Sequence, residues 1–311
     1  MVRLIGILIG IGFVVVAGIS LITGVITHLT TEHVEDAAHA LHEEPRNYDF
    51  DHDGPFGRWN RQQLQRGFQV YKEVCASCHG LNLVAFRNLS EIGYSEAAVR
   101  AIADQWQIQV PSINPDTGEP AGRNALPADR FPNPYANETA ARAANNNALP
   151  PDLSLIVKAR HGGANYIASL LTGYRDPATY RDHHGQPVPE DIRPGQGLYF
   201  NPYFPNINIA MPPPITADGQ VTYTDGTNPT VDQMAQDVAA FLTWTAEPNL
   251  QTRHRAGTAV LIFLIFASIL AWFAYKNVWA NAKRTVRVAG PLDPENMARR
   301  EAAKDESGIA G

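Results

Sequence analysis

The sequence predicts a mainly α-helical protein, with a large polar middle set between two membrane-length apolar segments. Three observations carry that prediction. Leu4 to Leu29 and Ala256 to Tyr275 each run without an Asp, Glu, Lys or Arg, and each is close to the roughly 20 residues a helix needs to cross a bilayer. Between them, the clearest apolar patterns repeat at helical spacing. Leu64, Phe68, Tyr71 and Val74 form one stripe, and Met234, Val238, Phe241 and Leu242 form another. No strand-rich region competes with these helices.

Taken in order, residues 1–30 read as a membrane anchor or a secretory signal. The apolar run is much longer than the about 7 to 15 residues of a signal h-region, which favours retention. Ala38-His39-Ala40 resembles a signal-peptidase site but lies beyond the apolar run. Arg3 before the segment and Glu32, Glu35 and Asp36 after it favour export of the middle of the chain. Residues 31–59, rich in His, Asp and Glu, read as a tether. A soluble domain then spans 60–254. Its first helix is expected over Arg61 to Val74, and a second begins at Ser95, which caps it, with Glu96 in the first turn. Residues 111–151 read as a long surface loop, Asp152 to Arg160 as a short helix, and 174–229 as a further loop rich in Pro, Gly and Asn. Thr230-Val231-Asp232-Gln233 matches a capping box ahead of the last soluble helix, which Glu247-Pro248 ends. The second span, 256–280, carries Trp272, Tyr275 and Trp279 at one end, as an interfacial belt does. Lys276, Lys283, Arg284 and Arg287 mark that end as cytoplasmic. Residues 281–311 read as a cytoplasmic tail, charged and disordered over 288–311. The soluble domain therefore faces the periplasm of an inner membrane.

The net charge is −6. Of the 25 Lys+Arg and 31 Asp+Glu, residues 30–255 hold 17 and 26, a local balance of −9. That balance makes nucleic acid an unfit partner. It serves either as a plain solvated surface or as a landing area for a basic protein.

There are two cysteines, and both lie in Cys75-Ala76-Ser77-Cys78-His79. Cys-x-x-Cys-His is the attachment signature of c-type haem: two thiols reach the porphyrin vinyl groups and the adjacent imidazole faces the iron. A thioredoxin-like redox pair needs a βαβ context that is absent, and a zinc site needs more ligands at zinc spacing. One covalent haem is expected, with His79 as an axial ligand. The opposite axial ligand decides the chemistry, since Met raises the potential and suits electron transfer. Met234 lies on the apolar stripe of a capped helix and reads as core. Met211 lies in Ile209-Ala210-Met211-Pro212-Pro213-Pro214, where fixed proline geometry presents a thioether rigidly, and it is the expected sixth ligand. His161 is the rival, and His183 and His184 read as solvent-facing loop residues. Arg160 and Tyr166 are candidates for holding the anionic propionates.

These segments together resemble the cytochrome c1 family, the haem subunit of the ubiquinol–cytochrome c reductase complex. The resemblance covers most of residues 54–287. It rests on Gly67 to His79, Pro151-Asp152-Leu153-Ser154, Ala159-Arg160-His161-Gly162-Gly163, Leu170 to Tyr174, Gly197 to Phe204, Met211-Pro212-Pro213-Pro214 and Trp244 to Pro248. It implies a cytochrome c-like domain enlarged by long loops, with Cys75 and Cys78 binding haem c, His79 and Met211 ligating iron, and Arg160 and Tyr166 near a propionate. It further implies single-electron transfer from the Rieske iron–sulfur protein to a cytochrome c. Cytochrome b would lie beside the C-terminal helix, in a dimeric complex whose quinol chemistry belongs to the partner subunits. The chain departs from the family pattern at its long N-terminal apolar segment and in lacking the additional cysteines of some bacterial members. A stand-alone anchored electron carrier shares the haem signature and is the alternative reading. A haem enzyme or gas sensor would lack a Met ligand.

Overall fold

The computed structural model describes residues 2–30, 40–285 and 293–307. It is mainly helical, with 49% helix against 6% strand, as the apolar spacing predicts. The chain divides into two units, one of Met1–Asp53 and Arg58–Pro248 and the other of Gly54–Gly57 and Asn249–Gly311.

The N-terminal helix α1 (Val2–Thr30) is long and apolar enough over Arg3–Leu29 to span a membrane, and the large apolar side chains from Leu4 to Leu29 are exposed. The Ala38-His39-Ala40 motif lies almost wholly outside the described residues. Within the expected tether, residues 40–53 make contacts with the domain. Leu41 and Phe50 are buried, the Arg46 amide donates to Ser169 Oγ at 2.8 Å, and the Tyr48 amide donates to Asn165 Oδ1 at 3.0 Å. Apolar anchors within a polar composition hold this stretch down.

Helix α2 (Arg61–Val70) is capped by Asn60, whose Oδ1 accepts from the Gln63 amide. It passes into a π-helical turn, Tyr71–Cys75, where a longer straight helix was expected. Such turns often mark functional sites. A 3₁₀ segment (Phe86–Ile92) leads to α3 (Glu96–Asp104), capped by Ser95 as the sequence predicts.

The expected 111–151 loop contains two elements. A hairpin pairs β1 (Val110–Ile113) with β2 (Pro120–Arg123), with Val110 opposite Arg123. Helix α4 (Glu138–Ala144) is capped by Asn137.

The helix expected over Asp152 to Arg160 is absent and turns replace it. The reason lies in competing polar groups. Asp152 accepts from the amides of Asn82 and Ser154, Ser154 Oγ accepts from the Leu83 amide, and the Leu153 amide donates to the Gly80 carbonyl. A helix forms instead at α5 (Gly163–Thr172), entered through Gly162 and Gly163 at φ +79° and +53°, a left-handed turn that glycine takes without strain. His161, placed by the sequence just after that expected helix, instead precedes a helix N-terminus.

Within 174–229 a two-residue ladder joins β3 (Tyr199–Phe200) to β4 (Asn208–Ile209). Helix α6 (Val231–Ala246) is capped by Thr230. The capping box is half formed, since the Thr230 amide donates to the Asn228 carbonyl instead of to the Gln233 side chain, whose Nε2 donates to Asp237.

The core forms where α2 and α5 pack against α6. Phe68, Tyr71, Phe86, Trp106, Phe131 and Phe241 make a contiguous aromatic cluster, with Phe86 and Phe131 only 4.2 Å apart between ring centroids. Arg66 crosses from α2 to the fully buried Asp237 on α6, at 2.8 Å from Nε and 3.0 Å from Nη2, and also reaches Asp225 at 2.7 Å. Burial works against that guanidinium charge, but the hydrogen bonds from Asp237 and Asp225 outweigh it, and its pKa is raised.

In the second unit, α7 (Leu250–Thr285) is the other helix long and apolar enough to span a membrane. It begins six residues before the apolar run at Ala256, because Leu250 to Arg255 continue the same helix. Lys276 lies over the Trp272 ring, 4.2 Å from its centroid. A final helix, α8 (Pro294–Ser307), lies within the segment read as a disordered tail and corrects that expectation.

Candidate functional site

The Cys75–His79 motif occupies the end of the first core helix. The π turn closes with the Ala76 amide on the Tyr71 carbonyl at 2.8 Å, and the amides of Cys78 and His79 then both point at the Cys75 carbonyl. The chain winds through Cys75, Cys78 and His79 within one tight turn, so two thiols and an imidazole share a small patch. The aromatic core supports it from beneath, and the Tyr71 hydroxyl donates to the His79 carbonyl at 3.2 Å.

His79 is partly buried, and its Nδ1 lies 2.8 Å from the Pro151 carbonyl oxygen. A carbonyl can only accept, so Nδ1 carries the proton and Nε2 keeps its lone pair free for a metal. Burial lowers the imidazole pKa, while the Pro151 carbonyl and the nearby Asp152 carboxylate partly oppose that effect. A neutral imidazole with a fixed tautomer is what a metal ligand requires. Burial pushes the Cys75 thiol up to about 12. The Tyr135 hydroxyl, which accepts from Asn145 Nδ2 at 2.9 Å, lies against Cys78.

Of the other expected residues, Met234 is fully buried in the main core, so within the soluble domain Met211 is the remaining thioether. It is partly buried, packs against that core, and its carbonyl accepts from the Tyr174 hydroxyl at 3.0 Å. Arg160 is exposed, its guanidinium donates to the Ala159 carbonyl at 3.0 Å, and its charge acts on the hydroxyl of Tyr166, a buried residue of α5. Burial raises the phenol pKa of Tyr166 and the Arg160 charge lowers it in part. Tyr174 lies close enough to Tyr166 for a negative charge on one to disfavour a charge on the other, which adds to the larger effect of burial. His161, His183 and His184 are exposed.

Sequence reasoning missed Pro151 as the acceptor that orients His79, and it missed Tyr174 at Met211. Pro151 had one signal, since a proline contributes a carbonyl and no amide. The donor set of two thiols, a tautomer-fixed imidazole and a loop thioether fits a covalently attached haem.

The Cytochrome C1 family model matches residues 50–282. The chain belongs to the cytochrome C1 family. Among relatives, cytochrome c1 of Rhodospirillum rubrum is 46% identical over 235 residues, covering 74% of this chain and 85% of that one. The "Cytochrome c1, heme protein, mitochondrial" of Saccharomyces cerevisiae is 43% identical over 267 residues, covering 86% of this chain and 81% of its own length. A Bradyrhizobium diazoefficiens protein named "Cytochrome b/c1" is 47% identical over 240 residues and 74% of this chain. Those residues are only 34% of the Bradyrhizobium protein, so this chain corresponds to about a third of it. The family match begins at Phe50, within the segment that packs onto the domain, and ends inside α7.

Proposed function

We propose that this chain is the haem-bearing electron-transfer subunit of a ubiquinol–cytochrome c reductase complex. In this reading it receives single electrons from the Rieske iron–sulfur protein and hands them to a cytochrome c. The observation that carries the reading is the pinned imidazole, His79 Nδ1 on the Pro151 carbonyl within a Cys-x-x-Cys-His turn, in a chain of the cytochrome C1 family.

Cys75 and Cys78 would hold one haem c through thioethers to its vinyl groups. His79 Nε2 and the Met211 sulfur would ligate its iron. Arg160 and Tyr166 answer the propionates, a cation and a phenol donor set side by side for an anion. When bound, the haem supplies a one-electron couple between ferric and ferrous iron. The residues around it limit rearrangement: the tautomer of His79 is set before any electron arrives, and Met211 starts a run of three prolines. Quinol oxidation belongs to the partner subunits, and this chain by itself turns over no substrate.

In topology, residues 1–30 form one span and 256–280 the other. The haem domain of residues 60–254 lies in the periplasm and the tail of residues 281–311 in the cytoplasm, on the side marked by Lys276, Lys283, Arg284 and Arg287. Cytochrome b lies beside the C-terminal span, and the complex is a dimer. The −9 balance of residues 30–255 favours a basic acceptor.

The test is a mild-detergent purification of the tagged chain with its companions identified by mass spectrometry. A multi-span cytochrome b and a Rieske protein are expected. Recovery of the haem protein alone, while other membrane complexes stay intact, would replace this reading with a free-standing anchored carrier.

A further inference from the structure

The strongest unassigned feature near the site is a tyrosine that touches the Met211 segment without belonging to it. Tyr174 stands two residues past the end of α5, and its hydroxyl donates to the Met211 carbonyl at 3.0 Å across 37 residues of chain. The end of α5 is itself tied to the segment that launches Met211. Asn201 Nδ2 donates to the Leu170 carbonyl at 2.8 Å, and the Arg175 amide donates to the Phe200 carbonyl at 3.2 Å. The Asn201 amide in turn donates to the Ile207 carbonyl at 2.7 Å, closing the loop between β3 and β4. Ile209 ends β4, and Met211 comes two residues later. No periodic element contains Met211, so its placement depends on such long-range bonds.

We propose that Tyr174 is a positioning residue for the Met211 ligand, fixing its backbone so that the thioether meets the iron in one orientation. The proposal rests on the reading of Met211 as the sixth ligand. Without the phenol, the Met211 carbonyl loses its tie to the chain leaving the end of α5, and the thioether samples more orientations. Iron–sulfur bonding then competes less well with an external ligand. Methionine ligation also raises the potential, so a looser thioether gives a lower one.

The experiment uses the haem-loaded chain within its purified complex. Cyanide affinity of the ferric protein is measured, because cyanide must break the iron–sulfur bond to bind. The near-infrared ferric band of sulfur ligation and the midpoint potential are followed alongside. Tyr174→Phe removes one oxygen and keeps the ring. It is expected to keep its haem and its melting temperature nearly unchanged, to lower the potential, and to bind cyanide about three- to tenfold more tightly, the range one neutral hydrogen bond supplies. Tyr203→Phe, in the loop tied to the same helix end, is expected to leave cyanide binding at the wild-type value. Tyr174→His keeps an aromatic donor and is expected to restore part of the affinity difference. Wild-type cyanide affinity in Tyr174→Phe, an equal gain in Tyr203→Phe, or no rescue by Tyr174→His would each overturn the proposal. Met211→Leu separates the two levels of inference. It is expected to lose the near-infrared band, and its survival would remove the ligand reading itself.

Discussion

Replacing Gly67 with Ala probes the helix crossing on which the site stands. Gly67 lies at the contact of α2 with α6, where an added Cβ would run into the Asp237 carbonyl oxygen and come within 2.6 Å of Phe241 Cβ. Carbon atoms in contact prefer about 3.5 to 4.0 Å, so the helices must separate by about 1 Å. Two effects oppose each other. Ala is a better helix former than Gly by about 1 kcal/mol in a helix interior. Overpacking costs about 1–3 kcal/mol, and the upper end applies here because the nearest atoms are backbone and Cβ, which have no rotamer to change. A gap of this size also forfeits a quarter to a half of each facing dispersion contact, and Leu64, Phe68 and Tyr71 all lie on the buried side of this segment. The net expectation is a loss of about 2 kcal/mol, or roughly 4–8 °C in melting temperature for a domain of this size. Thermal denaturation of the detergent-solubilised protein, followed by circular dichroism with haem content checked optically, reads this out. A melting temperature equal to or above wild type would mean that propensity outweighs the clash, and that the crossing is looser than the contacts at Gly67 indicate.

Two further outcomes are expected. Asp237→Asn removes the charge that answers Arg66, whose side chain is only 14% exposed. Breaking a buried pair from one side costs about 3–5 kcal/mol, and Arg66 keeps Asp225, so a loss of about 3 kcal/mol in denaturant-midpoint measurements is expected; a loss under about 1 kcal/mol would refute the pairing. His52 is 6% exposed between the rings of Phe50 and Trp59, at 5.1 and 5.0 Å. Burial lowers its pKa, against the smaller pull of Asp53 and Asp51. The unfolded chain then binds the proton more tightly than the folded one. Its contribution to stability is therefore complete above the ordinary histidine value of about 6.5 and falls by up to about 1.4 kcal/mol per pH unit below it, until the lowered folded value is reached. His52→Phe keeps a ring between the two neighbours and is expected to flatten the melting curve's pH dependence between pH 7 and 5. Parallel wild-type and variant curves would rule this out.

The legibility of each feature in the sequence depends on how local its signal is. The Cys75–His79 motif is readable because covalent attachment demands a fixed five-residue spacing. The stripes of α2 and α6 are readable because each helix buries one face, and the caps at Ser95 and Thr230 bond within three residues. The failures arise where distant partners override local preference. Asp152 and Ser154 look like a helix start, but their side chains bond to Asn82 and Leu83, some 70 residues away. Gln233 donates to Asp237, a carboxylate that also accepts from Arg66 across the helix crossing. The polar composition of residues 40–59 conceals two apolar anchors, Leu41 and Phe50. The acceptor for His79 lies 72 residues on at Pro151, and no spacing rule connects them.

This division between local and distant signals has a mechanical consequence. The thiols and the imidazole are carried by the end of a core helix, whereas Met211 and the Pro151 carbonyl sit on irregular chain held by single hydrogen bonds to rigid elements. Damage to the core at Gly67 or Asp237 lowers stability while the site's own hydrogen bonds at His79 and Met211 keep their partners. Loss of the Tyr174 hydroxyl acts the other way, leaving the helix crossing intact and loosening one ligand. Stability and ligation should therefore respond to different substitutions. A Gly67→Ala protein that melts early yet keeps wild-type cyanide affinity, beside a Tyr174→Phe protein that melts normally yet binds cyanide tightly, is the pattern this architecture requires. Variants in which the two properties move together would mean that the helical core and the Met211 loop form one cooperative unit. In that case the long-range bonds of Tyr174 and Asn201 would be consequences of packing rather than the means by which the ligand is placed.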